Sequence, residues 1–314
     1  MDNSFIESVW WALGEMNDKG LIYEGVRVLA YCPRCETPIA NSEIAMDNSY
    51  KDITDISVYI KFRLTPTQKM PPHFNASTLT RSEAFSTSKI YLLAWTTTPW
   101  TLPGNTAIAI NKDLAYVFVT HSPESGKETI ILTPESYEKL KDKFTNPEVV
   151  KHIQGSELVG LQYEPVFEYY KNEKFPNKEN AWRVWHADFV TVDQGTGIAH
   201  EAPAFGEDDQ ALCDKHGIKM VCPVDNAGKF TQEVPDFAGL QVFDANDKVI
   251  IKLKEQGDWI KTEQILHNYP HCWRTDTPLI YKAVPSWYVK VTEIKHRMVE
   301  LNQQINWIPH NVKD

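Results

Sequence analysis

The residues of this chain that could do chemistry fall into three short strings. The first is Trp95-Thr96-Thr97-Thr98-Pro99-Trp100-Thr101-Leu102-Pro103-Gly104-Asn105-Thr106. Side chains alternate along a strand, so three consecutive threonines put hydroxyls on both faces. Pro99 cannot donate to a ladder, which predicts a strand end there with the last N–H groups left free. Free N–H groups beside hydroxyls make a donor-rich wall suited to a developing oxyanion or a bound water. The second string is Asp193-Gln194-Gly195-Thr196-Gly197-Ile198-Ala199-His200-Glu201-Ala202-Pro203-Ala204-Phe205-Gly206-Glu207-Asp208-Asp209. It predicts a strand ending near Ala202, a turn over 203–206 and a helix opening at the acids. A carboxylate in a helix's first turn is stabilised as the anion by the backbone dipole, so Asp209 could hold an ammonium group. Gly195 and Gly197 do not open a dinucleotide fingerprint, because its third glycine would fall at His200 and no helix starts there. The third string is Cys32-Pro33-Arg34-Cys35, half of a four-ligand zinc knuckle. Each has a plainer reading by itself: threonine is a good strand former, acids favour helix starts, and a lone histidine is usually structural.

The elements that must position these residues follow from periodicity. Ile56, Val58, Ile60 and Phe62 alternate with polar residues, the mark of a half-buried strand over about 53–64. Apolar strands are predicted at 90–95, 107–110, 116–120 and 129–132, and a further one at 26–31. Helices are predicted over 134–143, from Glu207 to a stop at Gly217, and from Asp244 to a stop at Gly257. Ser4 and Glu7 form a capping-box signature for an opening helix with Ile6, Val9, Trp10, Leu13 and Met16 on one face and a stop at Gly20. Residues 65–88 are rich in Ser, Thr and Pro and predict a long excursion. Strands and helices do not alternate regularly, which argues against a doubly wound parallel sheet. The expected class is α+β: a mixed β-barrel core with peripheral helices, plus a stem or zinc-ribbon-like extension formed by both ends. The expected division is 1–50, 51–262 and 263–314.

Composition narrows the function. With 42 acids against 32 bases the net charge is −10, so a nucleic-acid partner would be touched over a short piece only. No secretion signal and no apolar run of membrane length is legible, and the five cysteines point to reduced thiols or a metal. These features predict a cytoplasmic protein, a monomer, with no membrane role. Cys213 and Cys222 are expected to be buried thiols.

The twelve-residue threonine string closely resembles the threonine-rich motif of isoleucyl-tRNA synthetase editing domains. The valyl and leucyl enzymes typically carry an arginine after the paired threonines, where this chain has Thr98. Gly195-Thr196-Gly197, His200, Ala202-Pro203 and Gly206 followed by Asp209 resemble that family's second editing motif. The resemblance extends over nearly the whole chain, including 155–161 and Cys272-Trp273-Arg274-Thr275. It implies that Asp209 binds the α-ammonium of a misattached amino acid and that His200 and Trp95 line its side-chain pocket. It implies that Thr96, Thr97 and Thr98 position the adenosine, the carbonyl and an attacking water. The implied reaction is hydrolysis of valine from the 3′ end of tRNA(Ile), with no cofactor needed for the chemistry. Its rivals are valyl-type editing of threonine and a non-catalytic tRNA-docking module. The ATP-site signatures His-x-Gly-His and Lys-Met-Ser-Lys-Ser do not occur in the chain, so the implied partners include the rest of a synthetase. Relatives pair Cys-Pro-x-Cys with Cys-Trp-x-Cys, implying a structural zinc on Cys32, Cys35 and Cys272. Here Thr275 stands in the fourth place; His271, beside Cys272, is expected to point elsewhere, and His267 is another substitute.

Overall fold

The computed structural model describes residues 2–46, 49–65, 89–193 and 195–313. Nearly all of the expected excursion at 65–88, and Gln194 of the second string, lie outside the described residues. The strands are β1 (Ile22–Cys32), β2 (Thr37–Pro38), β3 (Tyr50–Arg63), β4 (Lys89–Thr96), β5 (Ala107–Ile110), β6 (Ala115–His121), β7 (Glu128–Leu132), β8 (Glu148–Gln154), β9 (Val184–His186), β10 (Ile198–Glu201), β11 (Trp259–Pro270) and β12 (Ile280–Val289). The helices are α1 (Asn3–Asp18), α2 (Asn41–Ile44), α3 (Pro134–Leu140), α4 (Glu207–Lys215), α5 (Val242–Gln256) and α6 (Val291–Asn302). The fold is mixed α+β.

The chain divides into two compact units, Met1–Arg27 with Val284–Asp314, and Val28–Ala283. In the smaller unit α1 starts earlier than the capping box predicts. Asp2, not Ser4, is the cap: its Oδ1 accepts from the Phe5 N–H at 2.9 Å and from Ser4 Oγ at 2.8 Å. A carboxylate at that position competes successfully with the hydroxyl for the orphan N–H groups of the first turn. The helix buries none of its own residues.

The larger unit holds the candidate chemistry. Its main sheet has the order β11-β3-β4-β7-β6-β8, and a smaller one has the order β10-β5-β9. Only the β4–β7 and β5–β9 pairings are parallel in these two sheets. The remaining sheet is β12-β1-β2. The alternation in β3 is realised with Val58, Ile60 and Phe62 wholly buried. β4 and β5 are largely apolar runs buried nearly throughout, and β7 is buried throughout although it opens on Glu128 and Thr129. A core of Tyr91, Leu93, Val117, Val119, Ile130 and Leu132 is closed on one face by Leu140 of α3 and by Phe144.

Beyond β4 the chain enters a 3-10 turn, Pro99–Gly104, every residue of which is buried. Helix α5 packs on this turn, and Asn246 Oδ1 accepts from the Trp100 N–H at 3.1 Å. The helix ends at Gly257 in the left-handed conformation (φ 80°), as its sequence predicts, but begins two residues before Asp244 with no side-chain cap.

Candidate active site

The threonine string is built as a strand that breaks into a turn. β4 stops at Thr96, three residues before Pro99. The N–H of Thr98, expected to be free, instead donates to Thr96 Oγ1 at 3.2 Å. The hydroxyls then form a run. Thr96 Oγ1 and Thr98 Oγ1 are 3.3 Å apart, and Thr98 Oγ1 and Thr101 Oγ1 are also 3.3 Å apart. Thr101 Oγ1 donates to the Thr98 carbonyl at 2.8 Å and lies 3.0 Å from His200 Nε2. The run therefore joins the first string to the second across 99 residues. Thr97 is half-buried beside it.

His200 sits on β10, opposite Ile108 of β5. Burial pushes its pKa down to about 4, so near neutral pH it is an uncharged imidazole. Its Nδ1 is buried with no partner among the described residues, as is Trp95 Nε1. Trp95 lies against the Gly195 turn. A Cβ on Gly195, whose φ is +72°, would come within 3.3 Å of the indole. The turn is tied from below by Ser136 Oγ, which donates to the Gly195 carbonyl at 2.9 Å, and by Tyr116 Oη, which donates to the Gly197 carbonyl at 2.6 Å.

Helix α4 opens at Glu207, where the sequence predicts, with Gly206 as its cap. Asp209 does not point freely outward. Its Oδ2 accepts from the Ala202 N–H at 2.8 Å, so the carboxylate folds back over the turn. A Cβ on Gly206 would stand 2.3 Å from Asp209 Oδ1, so only glycine leaves room. Burial pushes the Asp209 pKa up to about 6, against the Ala202 N–H and a hydrogen bond with Glu201, which pull it down. Desolvation thus offsets the dipole stabilisation predicted for this acid, and the group is an anion only above about that pH.

The structure brings Thr96, Thr98 and His200 into one hydrogen-bonded run, sets Trp95 against the Gly195 turn, and ties Asp209 to the residues that directly follow His200. Two members carried no role in the sequence reading. Thr101 is the link between threonines and histidine, and Glu201 is the buried neighbour of Asp209. Both stand inside the strings, but their contacts span the fold.

The cysteines form a second cluster. The Sγ atoms of Cys32, Cys35 and Cys272 lie within 4.8 Å of one another, the one such group of metal-ligating side chains among the described residues. Cys35 and Cys272 Sγ are 4.0 Å apart, and the Cys35 N–H donates to Cys32 Sγ at 3.4 Å. Thr275 Oγ1 lies 3.4 Å from Cys32 Sγ, the place a fourth sulfur would take. Three sulfurs at this spacing suit a tetrahedral ion with bonds of about 2.3 Å, and a neutral hydroxyl is a poor fourth ligand. Neither His271 nor His267 joins the sulfurs: His271 Nδ1 lies 3.0 Å from the Tyr269 carbonyl, and His267 Nε2 is buried 3.7 Å from Asp55 with no hydrogen-bond partner among the described residues. Cys213 is buried, while Cys222 is half-buried. No helix among the described residues is long and apolar enough to cross a membrane.

Sequence comparison assigns a family over the full length of the chain. The chain belongs to the class I tRNA synthetase family: the model for class I tRNA synthetases (I, L, M and V) matches residues 1–314. It is 52% identical to the isoleucine–tRNA ligase of Rickettsia typhi over 317 residues, covering all of this chain and 28% of that one. The isoleucine–tRNA ligase of Rickettsia felis is 54% identical over 321 residues, with the same coverage of 100% and 28%. The chain therefore spans little more than a quarter of the length of these relatives. Solved structures with some likeness include a Plasmodium knowlesi cytosolic leucyl-tRNA synthetase editing domain (TM-score 0.49, 14% identity, 70% of this chain and 98% of that one). Another is described as GlLeuRS-CP1 (TM-score 0.47, 17% identity, 66% and 98%).

Proposed function

We propose that this chain is the proofreading part of an isoleucyl-tRNA synthetase, hydrolysing the ester between a misattached valine and the terminal adenosine of tRNA(Ile). The observation that carries the reading is the run Thr96–Thr98–Thr101–His200, which leads along β10 to the Glu201–Asp209 pair. Asp209 receives the α-ammonium of the amino acid. Thr96, Thr97 and Thr98 orient the adenosine, the ester carbonyl and an attacking water, which a ribose hydroxyl of the substrate can assist. His200, uncharged, and Trp95 shape the side-chain pocket so that valine enters and isoleucine does not. Isoleucyl-tRNA synthetases illustrate why exclusion is needed, since one methylene is worth only about 1–3 kcal/mol in a synthetic site.

In this reading residues 51–262 are the editing core, with 1–50 and 263–314 as the stem to the rest of the synthetase. The packing of β10 against β4 supports a barrel-like approach of the two sheets. Cys32, Cys35 and Cys272 would hold a structural zinc in the stem, away from the ester chemistry. The acidic charge suits a cytoplasmic monomer that receives only the 3′ end of the tRNA.

The test is deacylation of Val-tRNA(Ile) and Ile-tRNA(Ile) by the wild type and by Asp209→Ala. The wild type should cleave Val-tRNA far faster than Ile-tRNA, and the variant should lose that activity by about a hundredfold. Equal activity of both proteins on Val-tRNA would remove Asp209 from the site. Equal cleavage of both tRNAs by the wild type would remove the exclusion model, and faster cleavage of Thr-tRNA would move the chain to the valyl type of editing.

A further inference from the structure

Glu201 is 1% exposed, and no role has been given to it. Its side chain hydrogen-bonds that of Asp209, while its Oε2 has no partner among the described residues. Ionised carboxylates only accept hydrogen bonds, so a bond between two carboxyl groups requires one of them to keep its proton. The question is which one. Asp209 accepts a backbone N–H from Ala202 and stands in the first turn of α4, and both features favour its anion. Glu201 has neither and lies deeper. The other titratable groups acting on the pair are Asp208, next to Asp209 on α4, Cys213 one turn further along that helix, and Tyr163. None is a cation, so nothing there stabilises a second negative charge.

We infer that Glu201 is a neutral positioning residue, donating its carboxyl proton to Asp209 and so presenting Asp209 as the single, oriented anion of the site. The inference rests on the reading of Asp209 as the ammonium-binding group. Its chemical content is one proton shared between two acids, leaving one negative charge for one incoming ammonium. With both acids ionised the site would carry two charges for one and would bind inorganic cations in place of substrate. With Glu201 absent, Asp209 would lose a donor that holds its carboxylate in place. Burial, with Asp209 adding to it, pushes the Glu201 pKa well above its ordinary value, in the same direction as the geometric argument.

The experiment compares wild type, Glu201→Gln and Glu201→Leu in the 314-residue chain. The pH profile of Val-tRNA deacylation is read together with the 13C NMR titration of the Asp209 carboxyl group. Glutamine keeps a donor toward Asp209 and carries no charge, so the acid limb of activity and the Asp209 titration should stay in place. Leucine removes the donor, and both should move upward by about one pH unit or more. A downward move of a unit in Glu201→Gln would mean that Glu201 is ionised in the wild type and would overturn the inference. So would an unmoved titration in Glu201→Leu. The NMR arm needs no tRNA and Glu201→Gln alone decides the charge state. A chain that titrates as expected but leaves Val-tRNA intact would therefore refute the proposed function and not the protonation of Glu201.

Discussion

Two buried acids in this chain are handled in opposite ways. Glu128 of β7 meets a cation: Lys61 Nζ of β3 stands 2.7 Å from its Oε2, with the Glu128 side chain 2% and the Lys61 side chain 6% exposed. Ser125 Oγ donates to the other oxygen at 3.0 Å. His121 Nε2 lies 3.8 Å away, and burial holds that imidazole below its ordinary pKa despite the carboxylate. Glu201 instead meets another acid. The first arrangement is closed, because its charges match within the sheet. The second leaves one negative charge unmatched, which costs stability and is retained where a ligand can supply the missing cation.

Breaking the closed pair should have the largest effect. Lys61→Met leaves Glu128 buried and unpaired, and should lower unfolding free energy in urea by about 3–5 kcal/mol. Adding Glu128→Leu should recover most of that loss, and a double variant as weak as the single one would show that packing, not charge, is at stake. The open pair should behave in reverse. Asp209→Asn should reduce deacylation of Val-tRNA by about a hundredfold, roughly 2.7 kcal/mol in the barrier, yet raise the melting temperature at neutral pH. A fall in melting temperature would mean that the Asp209 charge is already compensated in the free protein.

The pH dependence sharpens the same contrast. The Asp209 pKa is pushed up to about 6 in the folded chain against an ordinary value of 3.8, so the folded state binds the proton more tightly. Its contribution to stability is complete below about pH 4 and is lost as pH rises through about 6. Asp258, likewise pushed up to about 6 by burial, adds a slope of the same sign. The difference between wild type and Asp209→Asn isolates the Asp209 part, on the order of 2 kcal/mol between pH 4 and pH 7, measurable by urea unfolding at each pH. Smallest is Thr98→Val, which breaks the hydroxyl run while keeping shape. It should cost about 1 kcal/mol of stability and about tenfold in Val-tRNA turnover, and unchanged turnover would take that hydroxyl out of the chemistry.

Much of the framework was legible because it is local. The apolar runs that became β4, β5, β6 and β7 and the glycine stop of α5 are dictated by neighbours in sequence. The two strings likewise pointed to Thr96, Thr98, His200 and Asp209, three of which the fold links in one run. What escaped is non-local. Lys61 in β3 reads as a solvent-facing position between Ile60 and Phe62, and only a glutamate 67 residues later makes it a core residue. Glu201 reads as the polar member of an alternation until α4 folds over it. Thr101, in the turn after β4, gains its place through a histidine on β10. The three-residue β9 and the mostly polar, half-exposed β8 carry weak patterns because their partners supply most of their definition.

The bond from the Trp100 N–H to Asn246 also has a consequence in time. It spans 146 residues, which a ribosome adding about 5–20 residues per second would take roughly 7–30 s to synthesise. During that interval the threonine turn is made but unbraced, and its buried N–H must remain with water. The proposed hydrolytic centre therefore gains this brace only once α5 has been made, and a nascent chain stalled before α5 would carry every proposed active-site residue without it.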